Sequence, residues 1–316
     1  MAKAGLCAAK SPPVARGATA TSSSPNLQNT PTWKASSTRG VFPFTMQYAT
    51  LVERGTCHAL HFYRVLPMFR DLIDDLDDIS AGPEILLDVP FVPTDDSVIK
   101  KMLGLARVKA TDVLYDLGCG DGRIVIAAAK ACGAQGIGVE MDPLRVADAM
   151  ENAAHARVEH LVDFIEESIF TVDISGATVV TLYLLESVNL DLRPRLLSEL
   201  RPGTRIISHA FSMGDWKADE ELELSGISLY KWVVPAQVEG AWEWEGLDGN
   251  TYYVELQQSF QEITGTAWIG DTEVVLSCAT LQGDSLELHI EDADNAVHVF
   301  TLIFAEGDVK SVFENV

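Results

Sequence analysis

The strongest chemical signal in the sequence is an acidic, glycine-dense run that reads D-L-G-C-G-D-G-R over residues 116–123. It follows the apolar segment Val113–Tyr115 and opens a helical pattern, so it predicts a tight turn between a strand and a helix. Glycines in such a turn permit positive φ and let a bound ligand approach the backbone closely. The carboxylate of Asp116 suits a ligand that carries a positive amino group.

The same run argues against a nicotinamide dinucleotide site. The dinucleotide motif G-x-G-x-x-G needs a third glycine at position 123, where this sequence has Arg123. A carboxylate at Asp116 is also unsuited to a pyrophosphate, because both groups are negatively charged. The run therefore favours a sulfonium amino acid, the methionine part of S-adenosylmethionine. The competing interpretation is a glycine turn that serves only to join a strand to a helix.

A second acidic residue, Glu140, lies 22 residues after Gly118, at the tip of the predicted strand Gln135–Val139. A carboxylate in this position accepts hydrogen bonds from both ribose hydroxyls in dinucleotide-binding folds. If Glu140 binds the ribose, the next residue, Met141, is expected to lie against the adenine ring of the ligand. The alternative is that Glu140 is an ordinary surface glutamate.

Polar and aromatic residues follow the fourth and fifth predicted strands. Tyr183 and Glu186 could align an amine acceptor or take its proton, or they could be packed or exposed strand-end residues. A lone histidine such as His209 more often has a structural role than a catalytic one. Phe211 and Trp216 could wall a substrate pocket, although core packing explains them equally well.

These residues require a scaffold of alternating strands and helices between Thr94 and Val234. Thr94 caps a predicted helix, and Asp95 and Asp96 favour its N-terminal dipole. Apolar and amphipathic segments then alternate, which indicates a parallel sheet with helices on both faces. The predicted elements are strands at 113–115, 135–139, 162–165, 178–184, 204–208 and 227–234, and helices at 122–131 and 143–156.

After Pro235 the apolar residues alternate with a period of two, and turn signals such as Asp248-Gly249 and Gly283-Asp284 separate the runs. About seven short strands in this stretch predict a small antiparallel barrel or sandwich. We expect residues 236–316 to form a separate domain that does not supply the cofactor site.

Residues 1–45 are rich in Ser, Thr, Ala and Pro and contain no acid, so we expect a disordered or targeting segment. The translated protein is expected to begin at either Met1 or Met46. Residues 46–84 form a predicted lead-in segment, with helical spacing from Leu66 to Ile79. The expected compartment is the cytoplasm, with mitochondrion or plastid as the alternative.

The net charge of −23 limits the class of partner. Residues 236–316 alone hold 16 acidic residues and one basic residue. Such a surface repels phosphate backbones and attracts a cationic acceptor such as a lysine-bearing protein segment, or it serves only solubility. Five cysteines lack zinc spacing, and no metal site or membrane span is expected.

Taken together, residues 116–123 and 139–143 resemble motif I and motif II of the class I S-adenosylmethionine-dependent methyltransferases. The segments 90–94 (P-F-V-P-T) and 200–209 narrow the resemblance to a bacterial group related to mitochondrial protein-lysine methyltransferases. The resemblance covers about residues 85–235 and implies a Rossmann-like, doubly wound, mostly parallel seven-stranded sheet. Its motifs are specific for the cofactor and not for the acceptor.

The resemblance also implies roles for individual residues. Asp116, Gly118 and Gly120 hold the methionine part of the cofactor, Thr94 closes over its carboxylate end, and Glu140 holds the ribose. Family members commonly place an Asp after the third strand to contact the adenine amino group. This sequence has Glu167 and Ser168 there, and either could serve.

The acceptor class stays open at this point. The sequence Y-L-L-E-S-V-N at 183–189 replaces the Asn-Pro-Pro-Tyr-like motif of DNA and glutamine amide methyltransferases, which argues against that subtype. A protein lysine is the leading acceptor. The alternatives are a small-molecule methyltransferase and a cofactor-binding regulatory or partner-binding protein without turnover.

Overall fold

The computed structural model describes residues 5–7, 9–10 and 91–315. The predicted lead-in helix Leu66–Ile79 and most of the N-terminal segment lie outside these residues. The described part holds two sheets within one compact unit of the chain. None of the helices in residues 91–315 is long and apolar enough to cross a membrane.

The first sheet has seven strands in the order β5-β4-β3-β6-β7-β9-β8. The five strands β3–β7 are parallel to one another, and β9 and β8 continue the sheet in antiparallel pairs. The predicted mostly parallel sheet is therefore present. Its strands are β3 (Val113–Leu117), β4 (Gln135–Glu140), β5 (Val162–Glu166), β6 (Val179–Leu182), β7 (Arg205–His209), β8 (Glu220–Leu224) and β9 (Ile227–Val233).

Helices cover both faces of this sheet. Their bounds are α1 (Asp96–Ala106), α2 (Arg123–Cys132), α3 (Pro143–Ala156) and α4 (Glu186–Glu199). On one face, helices α1–α3 bury Met102, Val125 and Ala149 in a shared cluster. On the other face α4 buries Leu192 and Leu196. Alternate strand residues therefore enter two separate cores, which is why the strands are apolar along most of their length.

The structure contains two elements that the sequence analysis did not predict. Helix α4 contains Pro194, which weakens a helical pattern. Strand β8 is an edge strand that reads E-E-L-E-L and is mostly exposed. Because β8 buries little apolar surface, its alternation between polar and apolar residues is weak.

The second sheet is antiparallel, with β10–β16 in consecutive order. These strands are β10 (Gly240–Glu245), β11 (Thr251–Ser259), β12 (Glu262–Ile269), β13 (Thr272–Gln282), β14 (Ser285–Glu291), β15 (Val297–Ala305) and β16 (Asp308–Asn315). They enclose an apolar core that includes Trp244, Tyr252 and Phe300. The predicted antiparallel domain is thus present as a sheet, which we call the barrel.

Two short N-terminal strands lie at the two edges of this sheet. β1 (Gly5–Cys7) pairs with β16, and β2 (Ala9–Lys10) pairs with β10 at the other edge. One residue separates β1 from β2, so the two strands join the edges of the sheet. The structure describes only these five residues of the segment 1–45, so its predicted disorder or targeting role stays a prediction.

Candidate functional site

The glycine turn lies where β3 meets α2, at the carboxyl end of the parallel strands. Gly118, Gly120 and Gly122 have φ of +80°, +53° and +75°. The backbone N–H groups of Gly118 and Cys119 both donate to the carbonyl of Val139, each at 2.9 Å. The turn is therefore fastened to the end of the neighbouring strand β4, at the edge where ligands bind in open α/β sheets.

Glu140 ends β4 and holds this turn. Its carboxylate accepts hydrogen bonds from the backbone N–H of Gly120 at 2.9 Å, of Met141 at 2.9 Å and of Asp142 at 3.0 Å. The sequence places Glu140 beside the turn correctly, but gives no sign of these three backbone contacts. A carboxylate offers about four acceptor positions, so Oε2, which accepts only from Gly120, keeps one for a ribose hydroxyl.

Asp116 lies within β3 and is almost completely buried. The hydroxyl of Thr181, on the adjacent strand β6, lies 2.6 Å from its carboxylate. Burial raises the pKa of Asp116 to about 7, with smaller contributions from the charges of Glu140 and Asp121. A cationic group in the site would relieve this cost, which is consistent with the predicted contact to the cofactor's amino group.

Asp116→Asn is expected to stabilise the ligand-free protein above pH 7. The folded-state pKa of Asp116 lies above the unfolded value near 3.8, so folding becomes less favourable as the pH rises from about 4 to about 7. At 1.36 kcal/mol per pKa unit, the cost is at most about 4 kcal/mol. Melting temperatures at pH 5 and pH 8.5 measure this, and we expect the variant to gain clearly more at pH 8.5, because only part of the cost is present at pH 5. An equal change at both pH values contradicts the assignment.

The segment that precedes α1 crosses the glycine turn. The ring of Phe91 packs directly on Gly120, where an added Cβ would lie 2.2 Å from the ring. Arg123 donates to the carbonyl of Thr94 at 2.9 Å, and its guanidinium also pairs with Asp121 at 2.6 Å. Thr94 is thus fixed between Arg123 and His209, and its role in closing over the cofactor stays a prediction. The resemblance of segment 90–94 was the only signal for this contact.

Two aromatic rings lie at the carboxyl ends of β6 and β7. Tyr183 and His209 stack with ring centroids 3.8 Å apart, and His209 Nδ1 lies 3.4 Å from the hydroxyl of Thr94. Burial lowers the pKa of His209 to about 4 and raises the pKa of Tyr183. At neutral pH His209 is therefore uncharged and Tyr183 protonated. His209 contacts two of the predicted site residues, which its place in the sequence did not indicate.

Glu186 begins α4, and its exposed carboxylate accepts a hydrogen bond from the Ser212 hydroxyl at 2.6 Å. Ser212 belongs to residues 210–217, which follow β7 and which we call the rim loop. Asn189 is buried in the next turn of α4 and donates to the carbonyls of Phe211 and Ser212, each at 3.3 Å. The rim loop is therefore bound to the start of α4.

The remaining predicted cofactor residues lie at the ends of β4 and β5. Met141 is half-buried directly after β4. The backbone N–H of Glu167 donates to the carbonyl of Glu140 at 3.1 Å, and its carboxylate accepts from the Thr171 hydroxyl. The hydroxyl of Ser168 accepts from the Phe170 N–H. Both Glu167 and Ser168 stay candidates for the adenine contact.

Comparison with known proteins gives the site its context. A family model described as the ANTKMT methyltransferase domain matches residues 116–220. A protein-lysine N-methyltransferase from Saccharolobus islandicus (strain REY15A) is 44% identical over 137 residues, which cover 43% of this chain and 85% of that protein. This chain belongs to the class I S-adenosylmethionine-dependent methyltransferases related to protein-lysine methyltransferases. The predicted enzyme class and cofactor are confirmed, and an interpretation without turnover is not supported.

Two further matches have descriptions that name different methyl acceptors. An adenine nucleotide translocase lysine N-methyltransferase from Mus musculus is 32% identical over 42% of this chain and 57% of that protein. A solved structure from Salinibacter ruber, described as an RNA methyltransferase in complex with S-adenosyl-L-homocysteine, is 53% identical. That match covers 46% of this chain and 96% of the other, with a TM-score of 0.46. The family assignment rests on the Saccharolobus islandicus relative, and the acceptor of this chain is a separate question.

Proposed function

We propose that this methyltransferase modifies the side-chain amine of a protein lysine. The observation that carries the proposal is the 44% identity to a protein-lysine N-methyltransferase over 85% of that relative's length. The charge distribution supports it, because residues 91–235 hold 22 acidic and 14 basic residues and the barrel is more acidic still. A lysine-bearing segment is attracted to such a surface.

The chemistry requires an uncharged amine in line with the methyl–sulfur bond. When bound, the cofactor would supply a methyl group on a positively charged sulfur; the amine nitrogen would bond to that carbon as the carbon–sulfur bond breaks, and would then lose a proton. Because the uncharged His209 adds no positive charge beside a sulfonium, it does not oppose cofactor or ammonium binding. We assign Tyr183 to orient the amine and Glu186 to attract the lysine and accept its proton.

RNA is the acceptor class that the proposal has to be tested against, because the Salinibacter ruber protein is described as an RNA methyltransferase. Nucleic-acid binding depends on cationic groups that neutralise phosphates. The excess of acidic residues in both sheets opposes this contact, so we rank protein lysine first.

The product identifies the acceptor. The purified protein is incubated with methyl-labelled S-adenosylmethionine and soluble cell extract, and samples are then treated with protease or with ribonuclease. We expect label that protease releases and ribonuclease does not, and that elutes as methyl-lysine after acid hydrolysis. Label in methylated nucleosides would instead establish RNA as the acceptor.

Glu186→Gln is expected to lower kcat about tenfold and to leave the affinity for S-adenosylmethionine unchanged. The amide retains an acceptor for Ser212 but cannot take a proton or attract an ammonium group. Asp191→Asn is the matched control, because Asp191 is an exposed acid on the same helix. Equal kcat values for the two variants would remove Glu186 from the proposed chemistry.

A further inference from the structure

The hairpin between β11 and β12 extends from the barrel to the rim loop. We call residues 259–262 the hairpin tip. The ring of Phe260 stacks on Trp216 with centroids 5.8 Å apart and an interplanar angle of 15°. Gln261 accepts from the indole N–H of Trp216 at 2.9 Å and donates to the carbonyl of Lys217 at 2.8 Å. Two adjacent tip residues thus make three specific contacts to the end of the rim loop.

The backbone of the hairpin tip adopts an unfavourable conformation at Phe260, the residue that makes the stacking contact. Ser259 pairs with Glu262, so Phe260 and Gln261 form a two-residue turn, and Phe260 has φ of +56°. A bulky aromatic residue at positive φ is an outlier that persists only where its surroundings hold it. The β12–β13 and β13–β14 turns place Gly270 and Gly283 at positive φ instead. The Phe260 ring therefore occupies a position where turn geometry alone favours glycine.

The contacts continue from the rim loop to the predicted acceptor side of the site. Arg193 of α4 lies over the Phe260 ring at 5.3 Å and donates to the carbonyl of Met213 at 2.8 Å. Arg193 also pairs with Asp215. The same loop presents Ser212 to Glu186, as described above. An uninterrupted set of contacts therefore links the hairpin tip to the carboxylate that we assign to the acceptor.

We propose that the hairpin tip is a positioning element for the methyl acceptor, with Phe260 and Gln261 holding the rim loop against which a protein substrate docks. This inference rests on the proposed function. It assigns the barrel a part in acceptor recognition through β11–β12, while the predicted cofactor residues all lie on or beside the seven-stranded sheet. The tip acts through the rim loop and Glu186, and does not itself touch the reacting atoms.

The test compares three variants of the full chain. Phe260→Gly removes the ring and relaxes the turn, and Gln261→Ala removes both tip hydrogen bonds. Gln257→Ala is the matched control, because Gln257 is an exposed residue of β11 outside the tip. Initial rates of methyl-lysine formation are measured at increasing concentrations of soluble extract protein, and the cofactor Kd is measured by calorimetry.

We expect Phe260→Gly and Gln261→Ala to raise the half-saturating concentration of extract protein about tenfold, with the cofactor Kd unchanged within twofold and Gln257→Ala equal to wild type. A purely structural role predicts a lower melting temperature with unchanged half-saturation, which overturns the inference. Weaker cofactor binding by the same factor as acceptor binding also overturns it. If wild-type protein forms no methyl-lysine, the proposed function itself fails, and this inference fails with it.

Discussion

Gly118→Val is expected to weaken S-adenosylmethionine binding at least about a hundredfold, beyond ready detection by calorimetry, while the protein stays folded. Gly118 has φ of +80°, and an added Cβ would lie 3.0 Å from a methyl group of Leu184. A β-branched residue at positive φ costs about 1–3 kcal/mol and shifts the turn. The added side chain also lies where the predicted cofactor contact requires the backbone to be bare.

Gly226→Val is the control that distinguishes a loss of the cofactor contact from the backbone strain that any valine at positive φ causes. Gly226 lies in the turn between β8 and β9 with φ of +83°, and an added Cβ there meets nothing within 4 Å. The same substitution at nearly the same backbone angle should therefore lower the melting temperature and leave the cofactor affinity unchanged. Binding by Gly118→Val at wild-type affinity, or equal loss in both variants, is incompatible with a cofactor contact at Gly118.

The relative positions of the predicted cofactor residues follow from the sequence because these residues are close along the chain. The acidic, glycine-dense motif occupies eight consecutive residues, and Glu140 follows at the end of the next strand. In a parallel sheet, consecutive strands joined by a helix present their carboxyl ends on the same edge. The order of elements therefore places Glu140 beside Gly120 before any coordinates are known.

Contacts between residues that are distant along the chain could not be predicted in the same way. The Thr181–Asp116 contact joins residues 65 positions apart, and the stacking of Tyr183 on His209 depends on β6 pairing with β7. A buried carboxylate acquires its raised pKa from the final packing, which local patterns do not contain. The contact between Trp216 and Gln261 even joins the two sheets, where no periodicity connects one pattern to the other.

Glu140→Ala is expected to weaken the affinity for S-adenosylmethionine about 10- to 150-fold. Loss of hydrogen bonds between ribose hydroxyls and a carboxylate costs about 1.5–3 kcal/mol. The substitution also leaves the N–H of Gly120 without the carboxylate that accepts its bond at 2.9 Å, so the turn itself is weakened. We therefore expect a lower melting temperature as well, by an amount that calorimetry and thermal unfolding measure on the same samples.

Glu166→Ala provides the control for charge removal. Glu166 pairs in register with Glu140 on the neighbouring strand and is exposed, so this variant should bind the cofactor as wild type does. A cofactor analogue without ribose hydroxyls then separates the two roles of Glu140. Wild-type protein should bind the analogue more weakly than the cofactor, whereas Glu140→Ala should bind both alike. If the variant still prefers the hydroxylated ligand by the wild-type factor, Glu140 supports the turn only, and the ribose is held by another residue.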